Sequence, residues 1–273
     1  MPLSQPSAVP HNSAPAPGTQ PPPSLLRRIL LLNQASNRFY WRWTKRPPYM
    51  QYYSQQLDAC LRGARTAIHL GAGGKDPASL TSADLHKVRV YAVDPSPASL
   101  SRNTNPNKIV AWGDRIPLDD ESIDVIFSEH VMEHVRDPGA TFTEAYRLLR
   151  PGGVLLWVAP NLWSYSGLLT HLTPLWFHLF VNRLLEPISQ RRTSTDVFPT
   201  YFRINSLPSI RRIASRTGFE IEELYTAADC PHYTQFLPLV HQLVLLVHIV
   251  LDRVDWLAPF RLVQIVRARK PAR

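Results

Sequence analysis

Hydrophobic residues between 66 and 160 fall in short runs, at 66–70, 89–93, 108–111, 123–128 and 153–159. Each run is too short for a core helix and is bounded by turn residues, as expected of a strand buried on both faces. Helix-compatible segments alternate with these runs. The alternation predicts right-handed βαβ units and a mostly parallel, doubly wound α/β sheet. A helix over 204–217 follows, with Pro208 tolerated in its first turn, and then a strand at 218–224. Ahead of the first strand, helices are expected near 25–32 and 52–62.

Two stretches depart from this alternation. Residues 160–203 form an insertion longer than an ordinary connection, rich in Trp163, Tyr165, His171, Trp176, Phe177, His178 and Phe180 and closed by 198–203. Following the fifth strand, it is a candidate lid or acceptor pocket. Residues 236–251 are the longest apolar run, sixteen residues with one proline and two histidines. A bilayer span needs about twenty apolar residues, so this run reads as a buried or interfacial helix. His241 and His248, seven apart, share one of its faces.

The chain divides into a proline-rich tail over 1–24, a basic and aromatic extension over 25–62, a body over 63–230, and a C-terminal extension over 231–273 that is apolar, then basic. Eight prolines in the first 24 residues leave no apolar face, so disorder is expected there. The net charge of +9 is uneven: residues 1–60 carry six cations and one acid, residues 252–273 six cations and two acids, and the middle balances at 18 against 18. A neutral body argues against a basic nucleic-acid groove. Basic ends suit attachment to an anionic surface. Arg38-Phe39-Tyr40-Trp41-Arg42-Trp43 interleaves cations with rings, as at a membrane interface, and packing of those rings on the body is the competing reading. Two cysteines, Cys60 and Cys230, form no disulfide framework or metal cluster and suit a reducing, cytoplasmic setting. The histidines lack the paired spacing of a metal site.

The candidate chemistry begins at Gly71-Ala72-Gly73-Gly74, where the first strand ends. Glycines let backbone approach a ligand closely. The second strand ends at Asp94, 23 residues after the first glycine, and a carboxylate there can accept hydrogen bonds from both hydroxyls of a ribose. Gly113-Asp114 closes the third run. Then come Ile116-Pro117-Leu118-Asp119-Asp120, Asp124-Val125-Ile126-Phe127-Ser128-Glu129-His130-Val131 and Arg150-Pro151-Gly152-Gly153.

In order and spacing, residues 66–160 resemble the class I methyltransferases that use S-adenosylmethionine, in particular the small-molecule "type 11"-like branch. The resemblance implies a Rossmann-like fold. It implies that Gly71, Ala72 and Gly73 line the methionine portion of S-adenosylmethionine and that Asp94 holds its ribose. Asp114, beside Arg115, would meet the adenine amino group, and Ser128 and Glu129 would flank the methionine end. Two positions depart from the pattern: His69 stands where the family carries an acid, and Lys75 where it carries a third glycine.

An oxygen acceptor must lose a proton, and histidine suits that near neutral pH. His134 is the candidate base, with His130 four residues earlier on the same face if a helix has begun there. A bracing role for His134 stays open. The acceptor expected is small or lipid-like, at the surface of an anionic membrane or free in solution. The competing functions are a nicotinamide-dependent oxidoreductase, which shares the glycine turn and ribose carboxylate, and a non-catalytic protein of the same fold.

Overall fold

The structure, a computed structural model, describes residues 24–74, 87–172, 199–229 and 238–272. The expectations for the proline-rich tail, Lys75, Trp176, Phe177, His178, Phe180 and Cys230 lie outside the described residues.

Helices α1 (Ser24–Trp43) and α2 (Tyr49–Leu61) precede the sheet. Then come β1 (Thr66–Leu70), β2 (Arg89–Asp94), α3 (Pro97–Leu100), β3 (Lys108–Val110), β4 (Ile123–Glu129), α4 (Pro138–Leu148), β5 (Leu149–Pro160) and α5 (Tyr165–Leu172). Helix α6 (Leu207–Thr217), β6 (Glu220–Ala227), α7 (Pro238–Arg253) and β7 (Val263–Arg269) complete the described elements. The sheet order is β3-β2-β1-β4-β5-β7-β6. Among the described strands β7 alone runs against the rest, antiparallel to both β5 and β6, and the other pairings are parallel.

The central strands are buried on both faces, which is why they read as unbroken apolar runs: Val125 to Ser128 and Val154 to Ala159 are all buried. One face, with Ile126, Leu155 and Trp157, packs on α4 and α6 through Phe142, Leu148 and Ile210. Phe142 meets the rings of Trp157 and Phe219 edge-on, at 5.4 and 5.9 Å. The opposite face, with Val125, Phe127 and Leu156, packs on Tyr53, Leu57 and Leu61 of α2. The helix ends follow local chemistry. Asp137 accepts the Ala140 N–H at the start of α4, Ser206 and Ser209 form a capping box on α6, and Gly218 ends α6 at φ 84°.

Three expectations need correction. Helix α1 runs twenty residues, not eight, so the cation and ring segment 38–43 belongs to it. Tyr40 is fully buried there and donates its hydroxyl to the Ala228 carbonyl at 2.9 Å. The C-terminal extension is not separate from the body, because β7 lies inside the sheet between β5 and β6. The cations of β7 and of the residue after it are accordingly paired rather than free for an anionic surface. Arg267 meets Glu222 at 3.0 Å, Arg269 also pairs with Glu222, and Lys270 reaches Glu121 at 3.1 Å.

Lys270 explains the Arg150-Pro151-Gly152-Gly153 element. Its backbone N–H donates to the Gly153 carbonyl and its carbonyl accepts the Gly152 N–H, both at 2.9 Å. Its buried ammonium donates to the carbonyls of Tyr146 (2.9 Å) and Leu149 (2.7 Å). Arg150 pairs with Asp124 at 2.6 Å. Burial alone would raise the Asp124 carboxyl, but N–H bonds from Arg65 and Thr66 and the Arg150 guanidinium outweigh it and hold the group below its usual value. This element joins β5 to β7 at the sheet end away from the glycine turn. It is structural and does not discriminate between reactions.

A chain ending at residue 260, without β7, is therefore expected to lose the cooperative thermal transition of the full chain, because β5 and β6 lose their shared neighbour. Circular dichroism melts check this. A truncated chain that melts like the full one would return residues 261–273 to the status of an appendage.

Candidate functional site

The glycine turn is tied to β2 at both edges. The N–H groups of Gly71 and Ala72 donate to the Val93 carbonyl at 2.8 and 3.0 Å. Gly71 has φ +71°, and a Cβ there would lie 2.4 Å from Val131 Cγ2. Glycine is thus demanded twice, by conformation and by the loop that follows β4. Gly73 has φ +53° and nothing within 4 Å of where a Cβ would stand, so the turn borders open space.

Asp94 is buried, 6% exposed. Its Oδ2 accepts the Gly73 N–H at 2.9 Å and its Oδ1 the Ser96 N–H at 2.8 Å. An ionised carboxylate has about four acceptor positions, so each oxygen keeps capacity for a further donor. Ser96 caps α3 by accepting the Ser99 N–H at 3.2 Å. Buried Asn103 donates to the Gly73 carbonyl at 3.2 Å from the other side. The Ala111 N–H donates to the Asp94 carbonyl at 3.2 Å, so the exit of β3 lies against the same carboxylate strand. Asp114, Arg115 and Trp112 follow that exit and are exposed. Gly71 to Gly73, Asp94 and the Gly113-Asp114 turn thus meet at the carboxyl ends of β1, β2 and β3, the usual ligand edge of a parallel sheet.

The β4 end is built differently. Ser128 is fully buried, its Oγ has no hydrogen-bond partner, and its carbonyl accepts the Tyr53 hydroxyl at 2.9 Å. Glu129 follows, half-buried. His130 sits at φ +54° and turns the chain. Its Nε2 lies 3.3 Å from the Tyr49 hydroxyl, and its ring is exposed. The helical turn begins only at Met132 and ends at His134, as a 3₁₀ turn. His130 and His134 therefore do not share a helical face, contrary to the expectation from their spacing.

His134 is held by the segment returning from the insertion. Its Nδ1 is 2.9 Å from the Pro199 carbonyl. A carbonyl only accepts, so Nδ1 carries a proton, and in the neutral ring Nε2 is then the basic nitrogen. The Glu133 carbonyl accepts the N–H groups of Tyr201 (2.7 Å) and Phe202 (3.2 Å), and Arg203 donates to the Arg136 carbonyl at 2.7 Å. Segment 199–203 is strapped over loop 130–136 in this way. Of the unexpected positions, Ser96 was signalled by the Asp-Pro-Ser-Pro capping pattern. Asn103, Val131 and Pro199 carry no local signal, since each acts through a contact distant in sequence. His69, at the family's acidic position, stacks on Phe127 at 4.9 Å and is buried between strands. No cluster of metal-ligating side chains occurs among the described residues.

A parallel sheet with this glycine turn, strand-end carboxylate and antiparallel β7 defines a class I methyltransferase fold. Residues 68–157 match the family described as a methyltransferase domain. A probable S-adenosylmethionine-dependent methyltransferase of Mycolicibacterium smegmatis is 35% identical over 119 residues, 42% of this chain and 45% of its own. An uncharacterized 37.1 kDa protein of transposon TN4556 from Streptomyces fradiae is 38% identical over 119 residues, 40% of this chain and 34% of its own. The chain thus spans less than half the length of these curated relatives. A putative sarcosine dimethylglycine methyltransferase structure from Galdieria sulphuraria shares the fold, with a TM-score of 0.50 at 17% identity over 82% of this chain and 85% of that one. Over residues 68–157 the chain is thus similar to S-adenosylmethionine-dependent methyltransferases, and its fold is theirs.

Gly71→Ala is expected to weaken S-adenosylmethionine binding at least ten-fold and to lower the melting temperature, since strain and the Val131 clash fall on the turn. Gly152→Ala, at φ 80° with no contact near its Cβ position, should cost about 1 kcal/mol of stability and leave binding intact. Calorimetry and melts on both variants check the contrast. Equal binding by the two would detach the turn from the ligand.

Proposed function

We propose that this protein transfers the methyl group of S-adenosylmethionine to a small or lipid-like acceptor bearing a hydroxyl, and that it works at the surface of an anionic membrane. The observation that carries the cofactor part is Asp94, whose two oxygens each hold one loop N–H and keep acceptor capacity for the two hydroxyls of a ribose. The open space at Gly73 and the nearby Asp114 support the same placement, with the methionine portion along Gly71 to Gly73. Asp114 beside Arg115 suits the adenine amino group, and Ser128 and Glu129 suit the methionine end. A malonyl-[acyl-carrier protein] O-methyltransferase from Serratia marcescens, 32% identical over 118 residues, supports an oxygen acceptor.

The cofactor supplies an electrophilic methyl on a sulfonium. The protein's own contribution is to position donor and acceptor and to keep water out, which in the best cases lowers a barrier by about 7–11 kcal/mol. His134, with Nδ1 donating to Pro199, presents a basic Nε2 that can take the acceptor's proton as the new bond forms. His130, anchored on Tyr49, is the second histidine of this mouth and would help orient the acceptor.

A nicotinamide oxidoreductase is the second reading, because it shares the glycine turn and the carboxylate. The sheet disfavours it. The dinucleotide fold has order 3-2-1-4-5-6 throughout, whereas here an antiparallel strand separates β5 from β6.

Calorimetry with S-adenosylmethionine and with NAD separates these readings, and no binding of either would favour a non-catalytic role. Asp94→Ala should weaken S-adenosylmethionine binding about ten- to a hundred-fold, since charge-assisted hydrogen bonds contribute roughly 1.5–3 kcal/mol. Unchanged affinity with the fold intact would remove Asp94 from the ribose.

For His134, two variants separate base from brace. Asparagine can still donate to the Pro199 carbonyl but has no basic nitrogen. If His134 is the base, His134→Asn and His134→Ala should both lose about 10²–10⁴-fold in turnover with cofactor affinity unchanged. Recovery of turnover in His134→Asn alone would assign the histidine to holding segment 199–203.

A further inference from the structure

Helices α1 and α7 pack side by side and run in the same direction. His241 Nε2 lies 3.0 Å from Asn37 Oδ1, Tyr40 packs on Leu245, and Arg253 donates to the Trp43 carbonyl at 2.7 Å. The inner face of α7 is therefore accounted for: His241, Leu245, His248 and Asp252 are all buried.

The outer face of α7 is not polar. Leu239 is 87% exposed, Leu243 64%, Leu246 56% and Val250 51%, with Val240 and Val247 alongside. These positions follow the three- and four-residue spacing of one continuous helical stripe. On α1, Phe39 and Trp43 are exposed, their rings 5.7 Å apart, and Trp43 lies against Arg253 at the end of α7. An apolar stripe of this extent is uncommon on a protein surface without a partner.

The rim of the stripe is cationic. Helix α1 contains four arginines and no acidic residue. Arg38 and Arg42 are exposed and make no ion pair among the described residues. The Arg253 guanidinium lies 5.2 Å over the Trp43 ring, a ring and cation pairing suited to the headgroup level of a bilayer. At sixteen residues, α7 is about 24 Å long, short of the roughly 30 Å hydrocarbon core, and no described helix is long and apolar enough to cross a membrane. A helix of this kind lies along the interface with its apolar face down.

Building on the membrane reading above, we propose that the outer face of α7, flanked by Phe39, Trp43, Arg38, Arg42 and Arg253, seats this protein on an anionic bilayer. A second copy of the chain fits less well. A two-fold pairing of the same face would set the arginine rims against one another, whereas anionic lipid neutralises them. The seat adjoins the candidate site. His248 of α7 lies 5.5 Å from the Tyr165 ring at the start of α5, and Tyr49, just past α1, reaches His130. Seating α7 therefore holds the mouth of the site close to lipid-borne acceptors.

The test uses the full chain in co-sedimentation with vesicles of phosphatidylcholine, alone and mixed with phosphatidylglycerol. Wild type should bind the mixed vesicles and release as salt is raised. Leu243→Glu/Leu246→Glu should weaken binding at least ten-fold, with melting temperature and S-adenosylmethionine affinity unchanged. Arg38→Glu/Arg42→Glu should weaken it by a similar factor at low salt. Removal of residues 1–23 should change nothing. If wild type binds and Leu243→Glu/Leu246→Glu binds equally well, the α7 seat is wrong while membrane association stands. Wild type left in the supernatant with both vesicles overturns the membrane reading and the seat together. Light scattering that finds a wild-type dimer and a monomeric Leu243→Glu/Leu246→Glu variant overturns the bilayer as occupant in favour of a second copy.

Discussion

The Asp94 carboxylate is the constraint around which the candidate site is organised. Its two oxygens grip the Gly73 and Ser96 N–H groups, so one side chain fixes both the turn after β1 and the start of α3. The backbone of the same residue fixes the exit of β3 through Ala111. Three loops that would otherwise move independently are bound to one strand end. The ligand edge is in this sense pre-organised, which lowers the ordering cost of binding.

The opposite end of the sheet is closed by an interaction of different character. Lys270 is buried, yet its ammonium is surrounded by the Tyr146 and Leu149 carbonyls, the Glu121 carboxylate and the Tyr146 ring at 4.7 Å. A buried cation is tolerated only when its donors are satisfied. Here the satisfied cation locks β7 against the turn that starts β5. The glycines of that turn serve strand pairing, and the ligand edge inherits a rigid frame from the far end.

Between frame and surface lie α1 and α7, whose contact faces are unusually polar. Asn37, His241 and His248 lie between them beside Tyr40. Burial pushes the His248 imidazole below its ordinary value, partly offset by its bond to the Asp229 carbonyl. Arg46 bridges Asp252 at 3.3 Å and Asp255 at 3.0 Å where the two helices end. These hydrogen bonds set which face of α7 turns inward, and the aliphatic stripe is left outside as a consequence.

What the sequence determined by itself was local. β1, β2, β4 and β5 were legible because a strand buried on both faces must be apolar throughout. The glycine turn and Asp94 were legible because their spacing follows from one βαβ unit, and α2 and α6 because their periodicity is local. What only the tertiary structure decided depended on partners far along the chain. β7 alternates apolar residues with arginines that read as a basic tail until Glu222 of β6 is placed beside them. Helix α1 looked like two fragments because its partner, α7, lies some two hundred residues away. His130 and His134 were paired by counting, but the chain turns at His130 and cannot continue as helix there. Periodicity reports which face of an element is buried. It carries no information on which distant element buries it, and that choice is made by long-range hydrogen bonds and ion pairs that exist only once the chain has folded.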